Sequence, residues 1–368
     1  MSGEGNGMSI RVLVVDDSAV VRKLIVRAVR TQPDMEVAGV ATNGVEAVEL
    51  ARDLHPDVIT LDVEMPEMNG LDALRKIMML KLEPRPKVLM CSSLTTEGSK
   101  VTVRALFRGA DDFIAKDADQ ITRGARGFTE QLIDKIRALA ETPEPTHATA
   151  CQGGFSPPCA LSMVNSLCEK RFDALVIGSS TGGPSVLETL VAGLPAGCPF
   201  PVAIAQHMPP TFTQSLANRL DSMSNVRVKL GEHREWFEAG MVYIGQGGKH
   251  IRLIQSGGPV RVEIDEEPRN ALYKPSVNEL FRSASECFGN RVLGIMLTGM
   301  GDDGLEGARE LVRRGGTLLA QSSESCVVYG MPKAVVEAGL VAGTADPHGL
   351  RRVLTQIAVG GGGAKRSA

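Results

Sequence analysis

No apolar run in these 368 residues approaches the ~20 positions needed to cross a bilayer. The opening stretch, M-S-G-E-G-N-G-M-S, has no basic patch leading into an apolar core, so no signal peptide is expected either. Charge of one sign is also missing. A net charge of −3 supplies no positive field for gripping nucleic acid, and no recognition-helix motif or basic stretch supports a DNA-binding output. The seven cysteines (Cys91, Cys151, Cys159, Cys168, Cys198, Cys287 and Cys326) contain no C-x-x-C pair. That scatter argues against a disulfide framework or a zinc site and reads as a reduced, cytoplasmic protein. What is present, 43% hydrophobic and 23% charged residues, suffices for two ordinary cores at this length.

The chain is organised around D-A-L-V-I-G-S-S-T-G-G at residues 173–183. A short apolar run ends in small residues and a helix-compatible segment follows, the pattern of a buried strand, a tight turn and a helix N-terminus. Gly178 to Gly182 match G-x-S-x-G, which sets Ser180 on the turn. Such a turn can also bind a phosphate or simply pack.

Before it, strands are expected at Arg11–Val15, Glu36–Ala41, Asp57–Leu61, Lys87–Cys91 and Asp112–Ala115. Helices are expected at Ala19–Arg30, Gly44–Leu54, Gly70–Leu80, Lys100–Arg108 and Ala125–Leu139. Five strand–helix repeats imply an α/β doubly wound parallel sheet, whose functional crevice lies at the carboxyl ends of its strands. Asp16 and Asp17 close the first strand and Asp62 the third, so three acids converge on one edge. Such a group suits Mg²⁺, which binds oxygen and needs few protein carboxylates. Ser92 and Lys116 add a hydroxyl and a cation, completing the parts needed to take a phosphoryl group onto Asp62. Taken singly, each acid could be a helix cap.

With its V-L-V-V-D-D-S, L-D-V-E-M-P-E-M-N-G, Ser92–Ser93 and F-I-A-K stretches, this half resembles the response-regulator receiver domain. The resemblance implies that Asp62 is the phospho-acceptor, with Asp17 and Asp62 binding Mg²⁺, Asp16 supporting the metal shell and the Glu64 carbonyl completing it. It further implies that Lys116 contacts the phosphoryl group and that Ser92 and Phe113 form a moving switch pair. Receivers usually follow the lysine with proline, where Asp117 stands here.

Residues 140–171 read as a linker rich in proline, threonine and glycine, and 359–368 as a frayed tail. The receiver then spans 10–139 and a second domain 172–358. Strands are expected there at Ala174–Ile177, Pro201–Gln206, Arg227–Leu230, Met241–Ile244, Arg291–Leu297 and Thr317–Ala320, with a hairpin at Ile251–Gln255 and Val260–Ile264. Helices are expected at Ser185–Leu194, Phe212–Leu220, Val277–Cys287, Leu305–Arg314 and Lys333–Ala338, so this too is a parallel α/β sheet. Ser180, His207 and the pair Asp302–Asp303 each follow an apolar strand, and together they are the parts of a nucleophilic triad. The T-G-M-G turn lets backbone N–H groups face a developing oxyanion. His55, His147, His233 and His348 have no matching partners; His250, in G-G-K-H, warrants a test.

I-G-S-S-T-G-G-P, A-Q-H-M-P-P-T-F-T, V-Y-I-G-Q-G-G-K-H, Y-K-P-S-V-N-E-L-F, L-T-G-M-G-D-D-G and S-C-V-V-Y-G-M-P-K stand in the order found in chemotaxis protein-glutamate methylesterases, which residues 172–358 resemble. The resemblance implies Ser180 as nucleophile, His207 as base and then acid, Asp303 as its orienting partner and the Met300 N–H as oxyanion donor, with no cofactor for ester hydrolysis. It implies glutamyl methyl esters on methyl-accepting chemotaxis receptors as substrate, glutamine deamidation as a related activity and a chemotaxis histidine kinase as phosphodonor. The expected protein is a monomer, freed for catalysis by phosphorylation, so removing the residues before Phe172 should raise basal activity. The second class left open is a phosphorylation-controlled binding module with a partner outside chemotaxis.

Overall fold

The structure, a computed structural model, describes residues 9–116, 126–141, 167 and 170–360, with Arg126 described in its backbone alone. Asp117, Cys151, Cys159, Cys168, His147 and most of the expected linker lie outside the described residues. The chain divides into two compact units, Met1–Glu144 and Pro145–Ala368.

In the first unit, β1 (Ile10–Val15), β2 (Met35–Ala41), β3 (Val58–Asp62), β4 (Lys87–Ser93) and β5 (Asp112–Lys116) form one parallel sheet ordered β2-β1-β3-β4-β5. Val12 to Val15 are wholly buried, as expected of a strand covered on both faces. The helices are α1 (Ala19–Arg30), α2 (Gly44–Leu54), α3 (Gly70–Met79), α4 (Thr96–Leu106) and α5 (Arg126–Ala140). Side-chain caps set several of their starts. Asn43 Oδ1 accepts from the Val45 and Glu46 amides at 2.9 and 3.0 Å, and Ser18 and Asn69 cap α1 and α3. Helix α4 begins four residues before the expected Lys100, because the Thr95 hydroxyl accepts the Gly98 amide at 3.0 Å.

The second unit holds a seven-stranded sheet of β6 (Ala174–Ser179), β7 (Val202–Gln206), β8 (Arg227–Leu230), β9 (Met241–Ile244), β12 (Val292–Met296), β13 (Thr317–Gln321) and β14 (Gly343–Ala345). Its order is β14-β13-β12-β6-β7-β9-β8, and every pairing is parallel. A separate antiparallel ribbon pairs β10 (His250–Ile254) with β11 (Arg261–Asp265). Around them lie α6 (Gly183–Val191), α7 (Pro210–Asp221), α8 (Val277–Phe288), α9 (Leu305–Arg313), α10 (Met331–Glu337) and α11 (Pro347–Gly360). From β6 the chain winds one way to β7 and later returns to lay β12 on the opposite side. The β6–β12 junction is therefore a topological switch point, where a crevice opens beyond the carboxyl ends.

Both β14 and α11 escape the sequence reading. A three-residue edge strand is too short to show a period. Helix α11 buries Leu350, Val353, Leu354 and Ile357 and runs two residues past Ala358, where the tail was expected to begin. Among the described residues no helix is long and apolar enough to cross a membrane.

Candidate active site

Strand β6 delivers Ser180 to the carboxyl edge of the sheet and β7 delivers His207. Their register sets Ser179 opposite Gln206, so Ser180 and His207 are the next residues along two strands ~4.8 Å apart. The His207 amide donates to Ser179 O at 3.1 Å. Gln206, buried, fastens the two ends together. Its Nε2 donates to Ser180 O at 2.9 Å, while its Oε1 accepts the Ser179 hydroxyl at 2.6 Å.

The loop after β12 closes over this edge. Thr298 O accepts the Ser180 amide at 3.0 Å, and the Thr298 hydroxyl donates to Thr181 O at 2.9 Å. Gly299 lies directly against the serine, since a Cβ there would fall 2.7 Å from Ser180 Cβ and 2.5 Å from Met331 Sδ. Gly182, at φ +75°, makes the turn into α6, and a Cβ there would meet Val327 at 2.5 Å. Met300 follows Gly299, and among the described residues its N–H donates to no hydrogen-bond acceptor.

His207 Nε2 meets Asp303 Oδ2 at 2.8 Å, with both side chains more than nine-tenths buried. The carboxylate also accepts the Val277 amide on Oδ2 at 2.7 Å, and the Ser276 hydroxyl and Asn278 amide on Oδ1 at 2.9 and 3.2 Å. It thus sits on the N-terminus of α8, where exposed amides favour an anion. Burial pushes its pKa up, but the His207 hydrogen bond and charge and the two amides outweigh burial, leaving the carboxyl below its ordinary value. Asp302 is exposed and lends its carbonyl to the first turn of α9.

An anionic acceptor at Nε2 requires that nitrogen to carry the proton, so Nδ1 holds the lone pair. Nδ1 is buried and, among the described residues, has no hydrogen-bond partner. The Ser180–His207 hydrogen bond of a closed triad is therefore not made in this arrangement, although strand register holds the two residues side by side. Tyr273 stacks on the imidazole, with ring centres 4.2 Å apart and planes within 5°. Tyr273, Ser276, Gln206 and Thr298 were not singled out from the sequence. Gln206 and Thr298 did carry a signal, as polar residues at or just past the end of an apolar strand.

In the first unit, Asp16, Asp17 and Asp62 each offer a carboxylate oxygen, all within 4.8 Å of one another. Lys116 Nζ lies 2.7 Å from both Asp16 Oδ2 and Asp62 Oδ1. Burial, and secondarily the charges of Asp16 and Asp17, raise Asp62 to about 6 against the pull of Lys116. One lysine facing three carboxylates leaves excess negative charge, and an all-oxygen donor set fits a divalent ion such as Mg²⁺. Glu64 is exposed two residues beyond Asp62. The buried Ser92 hydroxyl donates to Ser93 O at 3.2 Å, and Phe113 is buried with Lys135 Nζ 5.9 Å from its ring centre.

Two family models match the chain, the response regulator receiver domain over residues 12–123 and the CheB methylesterase over 175–354. It is 42% identical over 357 residues to a protein-glutamate methylesterase/protein-glutamine glutaminase of Oleidesulfovibrio alaskensis, covering 92% of this chain and 96% of the relative. A protein of the same name from Thermotoga maritima is 42% identical over 331 residues, covering 90% and 93%. The crystal structure of the T. maritima CheB methylesterase catalytic domain is 38% identical, covering 51% of this chain and all of that one, with a TM-score of 0.49.

Proposed function

This chain belongs to the CheB methylesterase family, as a receiver-bearing, phosphorylation-regulated methylesterase of chemotaxis, and from that premise we propose how its own residues act. The substrate is a glutamyl methyl ester on a chemotaxis receptor. Ser180 Oγ attacks the ester carbonyl as its proton passes to His207 Nδ1. The imidazolium is stabilised through Nε2 by Asp303, and the Met300 N–H receives the charge that develops on the carbonyl oxygen. Collapse expels methoxide, which leaves as methanol with the proton from Nδ1. Water then gives a proton to the same nitrogen and adds to the acyl-serine. Breakdown restores Ser180 and releases the glutamate carboxylate. Glutamine deamidation follows the same course with ammonia as leaving group.

One observation carries this reading: a buried imidazole, on the strand end next to that of Ser180, whose Nε2 is held by a carboxylate and whose Nδ1, among the described residues, has no hydrogen-bond partner.

In the first unit, Asp62 accepts a phosphoryl group from a histidine kinase, with Lys116 beside it to pair with the incoming charge. Asp16, Asp17 and Asp62, completed by the Glu64 carbonyl, would hold Mg²⁺, which supplies charge neutralisation. Ser92 and Phe113 are the residues that respond.

Methanol release from methylated receptor membranes tests the proposal. Wild type should release methanol, faster when a small phosphodonor is added, and Ser180→Ala should lose at least ~10³-fold. Equal, negligible release by both proteins would leave a binding module in its place.

A further inference from the structure

We infer that His250 is a positioning residue for the catalytic acid, anchoring Ser276 so that Asp303 holds His207 in one tautomer. The inference rests on the esterase reading above. His250 opens β10 and is wholly inaccessible to solvent. Its Nδ1 accepts the Ser276 amide at 3.2 Å, and an amide can only donate, so Nδ1 bears the lone pair. The proton is then on Nε2, which faces Pro268 O at 3.3 Å. Both ring nitrogens are satisfied in this neutral form and in no other. A second proton would set an Nδ1–H against the Ser276 N–H. Burial lowers the pKa of His250, and the charges of Lys274 and Arg252 push the same way against Glu279 and the Pro268 carbonyl, so the neutral form persists.

What His250 anchors bears directly on the triad. Ser276 stands at the N-cap of α8, the place where a serine hydroxyl ordinarily accepts an amide of its own helix. Here it makes no such bond and donates instead to Asp303 Oδ1 at 2.9 Å. Asp303 takes the capping role, accepting the Val277 and Asn278 amides. The Ser276 backbone, released from any capping geometry, is located through its amide by His250. Remove that acceptor and a buried N–H is left unpaired. Ser276 then relaxes, and with it the orientation of the carboxylate that fixes His207. The path runs from β10 through the α8 N-terminus to the acid after β12, and its residues are 26 to 53 positions apart in sequence.

The test uses the full chain with a small phosphodonor and methanol release from methylated receptor membranes. His250→Phe fills the space without an acceptor, and His250→Asn restores an acceptor oxygen near the Nδ1 position. His250→Phe should lower kcat ~tenfold or more with KM little changed, and His250→Asn should recover most of the loss. Ser276→Ala should be impaired alike, and adding it to His250→Phe should cost no more than the poorer single variant, because both break one path. Wild-type kcat in His250→Phe, equal losses in Phe and Asn, or losses that multiply in the double variant would each overturn the inference. If wild type itself releases no more methanol than Ser180→Ala, the esterase reading fails instead. Should the Phe variant not fold, the ¹⁵N shifts of His250 in wild type decide. An unprotonated Nδ1 is expected at about pH 7.5, and a ring protonated at Nδ1 there rules the inference out.

Discussion

Asp303 accepts from two backbone amides, one hydroxyl and one imidazole, and this crowding makes its chemistry easy to break. In Asp303→Asn one oxygen becomes an NH₂, either at the Oδ1 position facing the Ser276 hydroxyl and the Asn278 amide or at the Oδ2 position facing the Val277 amide and the Nε2–H of His207. At either position it opposes a backbone donor of α8, and no negative charge remains to stabilise an imidazolium. At the Oδ2 position His207 can accept at Nε2 only by moving its proton to Nδ1, which removes the lone pair proposed to activate Ser180. A loss of about 10³-fold in kcat or more is expected, with KM far less affected. A variant within tenfold of wild type would show that the acid does not set the tautomer. The depressed pKa of Asp303 also stabilises the fold above its unfolded value, a contribution lost as pH falls through the lower folded value. At this scale the sequence made Ser180, His207 and the Asp302–Asp303 pair visible, because each follows an apolar strand. Asp303 is buried and Asp302 exposed, a distinction the local residues do not carry. Tyr273 and Ser276 were not legible, since their partners in the site lie 66 and 27 positions away and nothing nearby announces the contact.

At the scale of elements, the carboxyl end of β3 brings Asp62 into a cluster that one lysine does not neutralise. Its pKa of about 6 carries a definite sign. The folded state holds this proton more tightly than the unfolded chain does, so stability is lost as pH climbs from about 4 to about 6 and stays lost above. That rise corresponds to about 3 kcal/mol at most. Asp62→Asn removes that cost, so at pH 7.5 without divalent ions the receiver transition should rise by several degrees in calorimetry. The gap should narrow near pH 5. Mg²⁺ should raise wild type more than the variant, because the ion relieves the same repulsion. A lower transition in the variant at pH 7.5 would mean that the Lys116 pairing outweighs the crowding. Most elements here were readable from apolar runs, as the shared bounds of α1 and α2 show. The misses have physical causes: Thr95 begins α4 early, and β14 is three residues at a sheet edge.

For the whole molecule, Asp62 and Ser180 belong to units with separate hydrophobic cores. The proposed hydrolysis steps use no phosphoryl group, so phosphorylation of the receiver would act by shifting a population between less and more competent states. For a group with ordinary differential affinity that shift is finite, and some of the competent state exists without it. A chain lacking the receiver should therefore work without phosphorylation and ignore the phosphodonor. The cut must fall earlier than Phe172. Leu167 is buried, and Lys170 Nζ reaches Thr317 Oγ1 at 3.2 Å, so residues just before β6 belong to the second unit's packing. Residues 145–368 should release methanol from receptor membranes faster than the unphosphorylated full chain, and at one rate with or without phosphodonor. If that fragment folds, judged by a cooperative melt, and yet runs slower than the unphosphorylated whole, the receiver contributes to the active arrangement, and inhibition relieved by phosphorylation is the wrong account.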